Sequence, residues 1–146
     1  GKTVVAGLIG GFLMDFAAGD WTLGLLLAGV GCELGHMFPA FYGFEGGKGI
    51  LCGGTLAWML GWKVGLVAWG LFAALWLLSK YVSLGSLAAG VSLTVSVFLF
   101  YGHNWLYTAL AFIISALVIW CHRENISRLV HGTERKFQWH SGPPKE

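Results

Sequence analysis

Charge is what this chain has least of. Asp, Glu, Lys and Arg make up 11% of its 146 residues, where a soluble domain devotes roughly 25% to them. So little polar surface cannot cover a globule in water, and lipid becomes the expected solvent. Net charge is only +2 at pH 7, too weak to indicate nucleic acid as a partner. Cysteines are few, odd in number and scattered, at Cys32, Cys52 and Cys121. That excludes a disulfide framework and gives no metal-ligand spacing. Burial as small apolar residues is the simplest account of all three. A basic start, a short apolar stretch and a small-residue cleavage site never occur together, which excludes a recognisable secretory leader. The chain opens on Gly1 rather than Met, as expected of a trimmed start or an internal fragment.

Familiar catalytic devices are missing as well. There is no Gly-x-Ser-x-Gly elbow and no His-Glu-x-x-His pair. A nucleotide P-loop is excluded at its nearest match, where Tyr42 replaces the first glycine and Gly49 replaces the magnesium-binding Ser or Thr.

What is present is apolar. Hydrophobic residues reach 56%, with eight Trp and 23 Gly, and mean hydropathy is +0.70. Trp favours the membrane interface and Gly lets membrane helices approach closely. Six apolar stretches can be marked, at 3–14, 21–35, 50–60, 64–78, 84–100 and 105–121. Each is shorter than the roughly 20 residues that span a bilayer comfortably. Six in succession, with almost no charge between them, still fit lipid better than water. Backbone groups in lipid must be satisfied internally, and strand-like alternation is not prominent, so helices are expected. The fold class is therefore all-α and polytopic, with about six transmembrane helices in residues 1–121. Residues 15–20 read as a turn, with Asp15 and Asp20 capping or ending helices. Residues 36–49 form a polar connector, 122–136 a juxtamembrane helix, and 137–146 a frayed tail.

Alternating helices place Lys2, Lys48, Lys80, Arg123, Arg128, Arg135, Lys136 and Lys145 on one side of the membrane, and only Lys63 on the other. The positive-inside rule makes the first side cytoplasmic, with the carboxyl end. Glycine pairs four apart, Gly7/Gly11, Gly31/Gly35 and Gly61/Gly65, predict helix packing rather than chemistry.

Polar residues with chemical potential gather on that presumed cytoplasmic side, which suggests a site for an anionic substrate. The Gly46-Gly47-Lys48-Gly49 run opens the third apolar stretch beside His36. Glycines turn backbone N–H groups toward a ligand, the helix terminus adds partial positive charge, and Lys48 adds a full one: a phosphate cradle. A second cluster, 79–86, contributes Ser83 and Ser86 as candidate substrate contacts. In the third, His122, Asn125 and Arg128 recur every three residues and share a helical face. Such a face offers a proton carrier, an amide and a fixed cation to a phosphate or developing oxyanion. An ordinary basic helix meeting anionic lipid explains the same residues equally well. Glu33, near the end of its stretch, is expected to pair with a neighbouring cation.

These motifs resemble a known family. Gly-His-Met-Phe-Pro-Ala-Phe-Tyr-Gly-Phe-Glu-Gly-Gly-Lys-Gly (35–49) resembles the second signature of the bacterial acyl-phosphate:glycerol-3-phosphate acyltransferases, the PlsY family. His-Arg-Glu-Asn-Ile-Ser-Arg-Leu-Val-His-Gly-Thr-Glu-Arg-Lys (122–136) resembles the third, and Lys-Tyr-Val-Ser-Leu-Gly-Ser (80–86) the segment between. The resemblance implies a seven-helix enzyme of the bacterial inner membrane, without metal or cofactor, with its site facing the cytoplasm. Its substrates are acyl phosphate and glycerol 3-phosphate; its product is lysophosphatidic acid for phospholipid synthesis. It implies that Gly46, Gly47, Lys48 and Gly49 hold substrate phosphate and that His122 and Asn125 lie at the reacting centre. Glu134 becomes a structural member of the third signature. The His–Asp pair of other glycerolipid acyltransferases is absent, because Phe41, Thr108, Ser127, Lys136 and Lys145 stand five residues beyond the five histidines.

Departures from the family pattern matter too. Its first signature, with the preceding helix, belongs before residue 1, so this chain is expected to have little or no activity alone. Glu45 stands where the family carries Lys, and Leu51-Cys52 where it carries Ala-Thr. A diverged, non-catalytic relative binding lipid precursors or a partner is the alternative. A transporter of an organic phosphate is disfavoured, since it needs ionisable residues near the midplane. Nothing in the sequence speaks to oligomeric state.

Overall fold

The computed structural model describes residues 1–38 and 47–137. They form seven α-helices: α1 Lys2–Ala18, α2 Trp21–Met37, α3 Ile50–Leu60, α4 Trp62–Ser79, α5 Val82–Phe100, α6 Trp105–Cys121 and α7 Arg123–Val130. The six apolar stretches correspond to α1–α6. Differences lie at the ends. Residues 15–18 continue α1 instead of turning, and Asp15 sits in its last turn, its backbone oxygen accepting from Gly19 N at 2.8 Å. Only Asp20 caps: Oδ1 accepts from Leu23 N at 2.9 Å and from the Tyr107 hydroxyl at 2.7 Å. That pair ties the start of α2 to the start of α6. The expected helix over 122–136 is broken: α6 and α7 meet at 59° around His122, and residues 131–137 are not helical. The tail from 138 onward lies outside the described residues.

By length and composition, α4 and α5 are long and apolar enough to cross a membrane, and α6 with α7 would make a third span if the bent pair is one unit. Helix α3 has 11 residues, about 16 Å at 1.5 Å per residue, roughly half a hydrocarbon core. It therefore runs from inside the bundle toward one face, packed against α1, α2, α4 and α5. The core follows: Leu25 and Leu26 of α2, Leu56, Ala57 and Leu60 of α3, Val64 and Ala68 of α4, Leu93 and Val97 of α5, Ala111 and Ile114 of α6. Large apolar side chains also point outward, among them Phe12, Phe16, Leu78, Trp105, Phe112 and Trp120. An outer surface of that kind suits acyl chains, not water. At one end Lys63 Nζ lies 5.7 Å from the Trp62 ring, and at the other the Arg123 guanidinium lies 5.3 Å from Trp120. Such aromatic–cation pairs anchor helices at membrane interfaces.

Of the glycines the spacing singles out, Gly7, Gly11 and Gly65 are buried at close helix contacts, and the others are not. Gly31 and Gly35 face open space, and Gly61 lies outside the helices. The tight crossing is α1 on α2, where a Cβ on Gly24 would overlap the backbone oxygen of Gly10 and lie 2.8 Å from the Gly11 Cα. Backbone cannot swing aside as a side chain can. Gly24→Ala is therefore expected to push α1 off α2 and cost about 1–3 kcal/mol, read as a lower melting temperature in detergent. An unchanged melt would mean that the crossing is looser than drawn.

Candidate functional site

Gly47, Lys48 and Gly49 meet the carboxyl end of α2 at the amino end of α3. Gly49 is its N-cap, with φ 78°, and supplies no side chain to the cap. Among the described residues no side chain caps the first N–H groups of the helix, and the positive end of the helix dipole stands behind them. Gly47 N donates to His36 O at 3.2 Å, and a Cβ on Gly47 would run into the His36 ring. That contact folds the connector onto the end of α2. Lys2 Nζ donates to His36 Nδ1 at 3.0 Å, so His36 braces the cradle from behind and faces a cation of α1.

Lys48 crosses from this cradle to α7, its Nζ donating to Asn125 Oδ1 at 2.6 Å. Asn125, 6% exposed, donates through Nδ2 to Glu134 Oε1 at 2.7 Å. The same oxygen accepts from Ser83 Oγ at 2.7 Å, and Glu134 Oε2 accepts from Arg128 Nε at 2.7 Å. Arg128 is thus spent largely on Glu134, with Glu124 a further 3.9 Å contact. Glu134 reaches this position because the chain reverses after α7: Thr133 N and Glu134 N both donate to Arg128 O. Beyond it, Phe137 N donates to Lys80 O at 2.8 Å, and its ring meets Trp76 edge-on. Burial alone would raise the Glu134 pKa. Hydrogen bonds from Asn125, Ser83 and Arg128, with the charge of Arg128, instead pull it from 4.5 down to about 2. It is a carboxylate at any physiological pH.

His122 sits at the bend between α6 and α7, 2% exposed. Its Nδ1 lies 2.8 Å from Val118 O; a carbonyl only accepts, so Nδ1 carries the proton and Nε2 keeps a lone pair. Burial lowers its pKa below 6.5; the Val118 bond raises it, the Lys48 charge lowers it and Glu134 raises it, leaving a net decrease. The result is a neutral imidazole beside a lysine, able to take a proton.

The structure thus joins Lys48, Asn125, Ser83, Arg128 and Glu134 in one network, with His122 one turn from Asn125. Gly47, Gly49 and His36 lie on the cradle side. Ser86 is buried on α5, one turn on from Ser83. Gly46 and Glu45 fall outside the described residues. Glu33 departs from expectation: it makes no ion pair among the described residues, although it is 1% exposed and pressed against Gly49. Spacing along the chain carries no sign of that contact. Beneath the cradle lies an apolar cavity of about 170 Å³ between α3, α4, α5 and α6, lined by Ile50, Leu51, Gly53, Trp69, Phe72 and Val118 among others. It too was invisible in the sequence.

Together the fold and the site define a helical membrane protein that gathers its polar chemistry at one end, around an uncapped helix terminus above an apolar slot. The chain belongs to the glycerol-3-phosphate acyltransferase family, whose model matches residues 1–132. It is 39% identical over 123 residues to a glycerol-3-phosphate acyltransferase of Synechococcus sp. (strain CC9902), covering 84% of this chain and 60% of that one. With the Aquifex aeolicus (strain VF5) enzyme of the same name it shares 38% over 128 residues, 84% of this chain and 62% of the relative. The chain therefore spans about 60% of the length of these relatives. Its backbone is similar to crystal structures of PlsY (YgiH), an integral membrane glycerol 3-phosphate acyltransferase. The glycerol 3-phosphate form matches with a TM-score of 0.78 at 31% identity, over 93% of this chain and 69% of that one. The lysophosphatidic acid form matches with 0.78 at 33%, over 90% and 67%.

Proposed function

We propose that the protein transfers a fatty acyl group from acyl phosphate to the 1-hydroxyl of glycerol 3-phosphate, giving lysophosphatidic acid. The observation that carries this is the Lys48–Asn125 bond of 2.6 Å, which couples the glycine cradle to the α7 signature. Two anionic groups need such a place: the phosphate of the acceptor and the phosphate that leaves the donor. Relatives named for this activity, and solved structures in glycerol 3-phosphate and lysophosphatidic acid forms, support the same assignment.

The chemistry asks little covalent work of the protein. Acyl phosphate is a mixed anhydride, already activated. The acceptor hydroxyl oxygen attacks the acyl carbon, the carbon–oxygen bond to phosphate breaks, and the hydroxyl proton passes to His122 Nε2. Lys48 and the α3 N–H groups carry the charge that builds on phosphate, while Asn125 holds the lysine in place. The donor's tail is assigned to the apolar cavity, whose wall begins at Ile50 and Leu51, in the same first turn of α3. We further assign the site to the cytoplasmic face of the bacterial inner membrane, with α1–α6 embedded in ordinary lipid and α3 reaching only part of the way across. Eight of nine Lys and Arg residues lying on one side support that orientation.

The test is acceptor-dependent phosphate release from acyl phosphate, using protein expressed from its complete reading frame in bilayer nanodiscs. Release that needs glycerol 3-phosphate supports the assignment. Its absence from well-folded protein would overturn it in favour of a non-catalytic lipid-precursor binder. One consequence concerns pH. With the His122 pKa lowered, the base is free at neutral pH, and rate is expected to fall only as pH drops below about 6.5. His122→Gln is expected to lower kcat about 100-fold and to remove that acid limb. A limb that survives in the variant belongs to the substrate.

A further inference from the structure

Glu33 stands outside both the hydrogen-bond network and the chemistry proposed above. It is 1% exposed, and neither carboxyl oxygen has a hydrogen-bond partner among the described residues. The backbone N–H of Gly53 faces it but is donated to Gly49 O at 3.0 Å. Oε2 occupies the space a Cβ would take on Gly49, with Cδ 3.0 Å from that point, and Oε1 lies 3.2 Å from a Cβ built on Gly53. The carboxyl is therefore wedged sideways into the first turn of α3, the turn whose free N–H groups form the cradle.

Few charged or titratable groups surround it. Lys2 faces it from α1, Cys52 from α3 and Cys121 from α6, with Cys32 and His36 on its own helix. Lys2 donates to His36 instead, so no cation among the described residues answers the carboxyl directly. Family function does not explain why a buried, unpartnered acid should sit where an anion is to bind.

We infer that Glu33 is a positioning residue of the cradle that must carry a proton for a phosphate dianion to dock at the amino end of α3. The inference rests on the phosphate site proposed above. An ionised Glu33 and a bound phosphate would share one helix terminus within about one turn, ~5.4 Å. Like charges that close, away from bulk water, exclude one another. When the dianion docks, an ionised Glu33 takes up one proton from solvent. The neutral acid then stays wedged against Gly49 and keeps the N–H groups aimed at the ligand.

The experiment is calorimetric titration with glycerol 3-phosphate from pH 5 to pH 9, in two buffers of different ionisation heat, on wild type and Glu33→Gln in nanodiscs. Gln keeps the shape and cannot titrate, and the ligand's own ionisation cancels in the comparison. The wild type is expected to lose affinity relative to Glu33→Gln as pH rises, by about 10–100-fold, and to take up more protons per ligand. A merely structural role would weaken the variant equally at every pH without changing the proton count. Should Glu33→Gln fail to fold, wild-type uptake at pH 8, where ligand phosphate and His122 are past their titration, decides: uptake supports the inference and none overturns it. Equal pH dependence and equal proton counts overturn it while leaving the phosphate site standing. No binding by either folded protein overturns the phosphate site and the inference together.

Discussion

Lys48→Ala is expected to slow acceptor-dependent phosphate release by about 10²–10³-fold while barely moving the melting temperature. The Lys48 side chain is exposed, and its Nζ donates to Asn125 Oδ1. Asn125 itself stays held through Nδ2 by Glu134, so the fold does not depend on the lysine. The proposed reaction does. In it, charge builds on phosphate oxygens placed against the α3 terminus as the anhydride bond breaks. A fixed ammonium there acts more strongly on the transition state than on the ground state, so the loss falls mainly on kcat. Lys48→Arg keeps the charge but places a planar fork where glycines leave room for a compact one. It is expected to recover only part of the rate. Steady-state phosphate release with matched thermal melts measures both variants. A Lys48→Ala protein that folds and turns over at the wild-type rate would remove Lys48 from the chemistry.

What the sequence could and could not foretell follows from how local each signal is. Six apolar stretches were enough for α1–α6, because helix formation in lipid is dictated by hydropathy over a dozen adjacent residues. Asp20 as a cap is equally local, and the structure agrees. Asp15 is not: nothing nearby stops α1, so the helix runs on to Ala18. The bend at His122 escaped notice because the spacing of His122, Asn125 and Arg128 suits a continuous helix as well as a broken one. Fold-back of residues 131–137 onto α4–α5 depends on contacts 51 residues apart, such as Ser83 to Glu134. No periodicity encodes those.

The site divides in the same way. Gly47-Lys48-Gly49 before an apolar helix is a local signal for an anion, and that stretch does form an uncapped helix terminus. Glu134 was legible only through resemblance to a family, as a structural residue, without its partners. A lone acid near a span end, such as Glu33, suggests a cation partner, whereas its neighbour Lys2 turns to His36. Spatial neighbours across helices decide such cases, and only packing reveals them.

Glu134→Ala is expected to damage both stability and rate, because one carboxylate holds three elements together. It accepts from Asn125 of α7, Ser83 of α5 and Arg128, each at 2.7 Å. Hydrogen bonds to a charged group contribute about 1.5–3 kcal/mol each, and non-additively. Losing all three leaves a buried Asn125 amide and Ser83 hydroxyl without their acceptor, so about 3–5 kcal/mol is expected. Asn125 then no longer has a fixed orientation from which to hold Lys48, and phosphate release should fall with it. Glu134→Gln separates shape from charge: its carbonyl still accepts from Asn125 and Ser83, but its amide opposes the Arg128 guanidinium. The pH dependence supplies an independent check. The folded-state pKa of about 2 lies below the ordinary 4.5, so the carboxylate contributes stability that is present above pH 4.5 and lost as pH falls toward 2. Thermal melts in detergent between pH 2.5 and pH 6 should therefore show wild-type stability declining across that window. In Glu134→Gln the same decline should be shallower by this group's share, from a lower plateau. Parallel curves for the two proteins would mean that Glu134 titrates alike in folded and unfolded chains, and that the network does not hold α5 and α7 together.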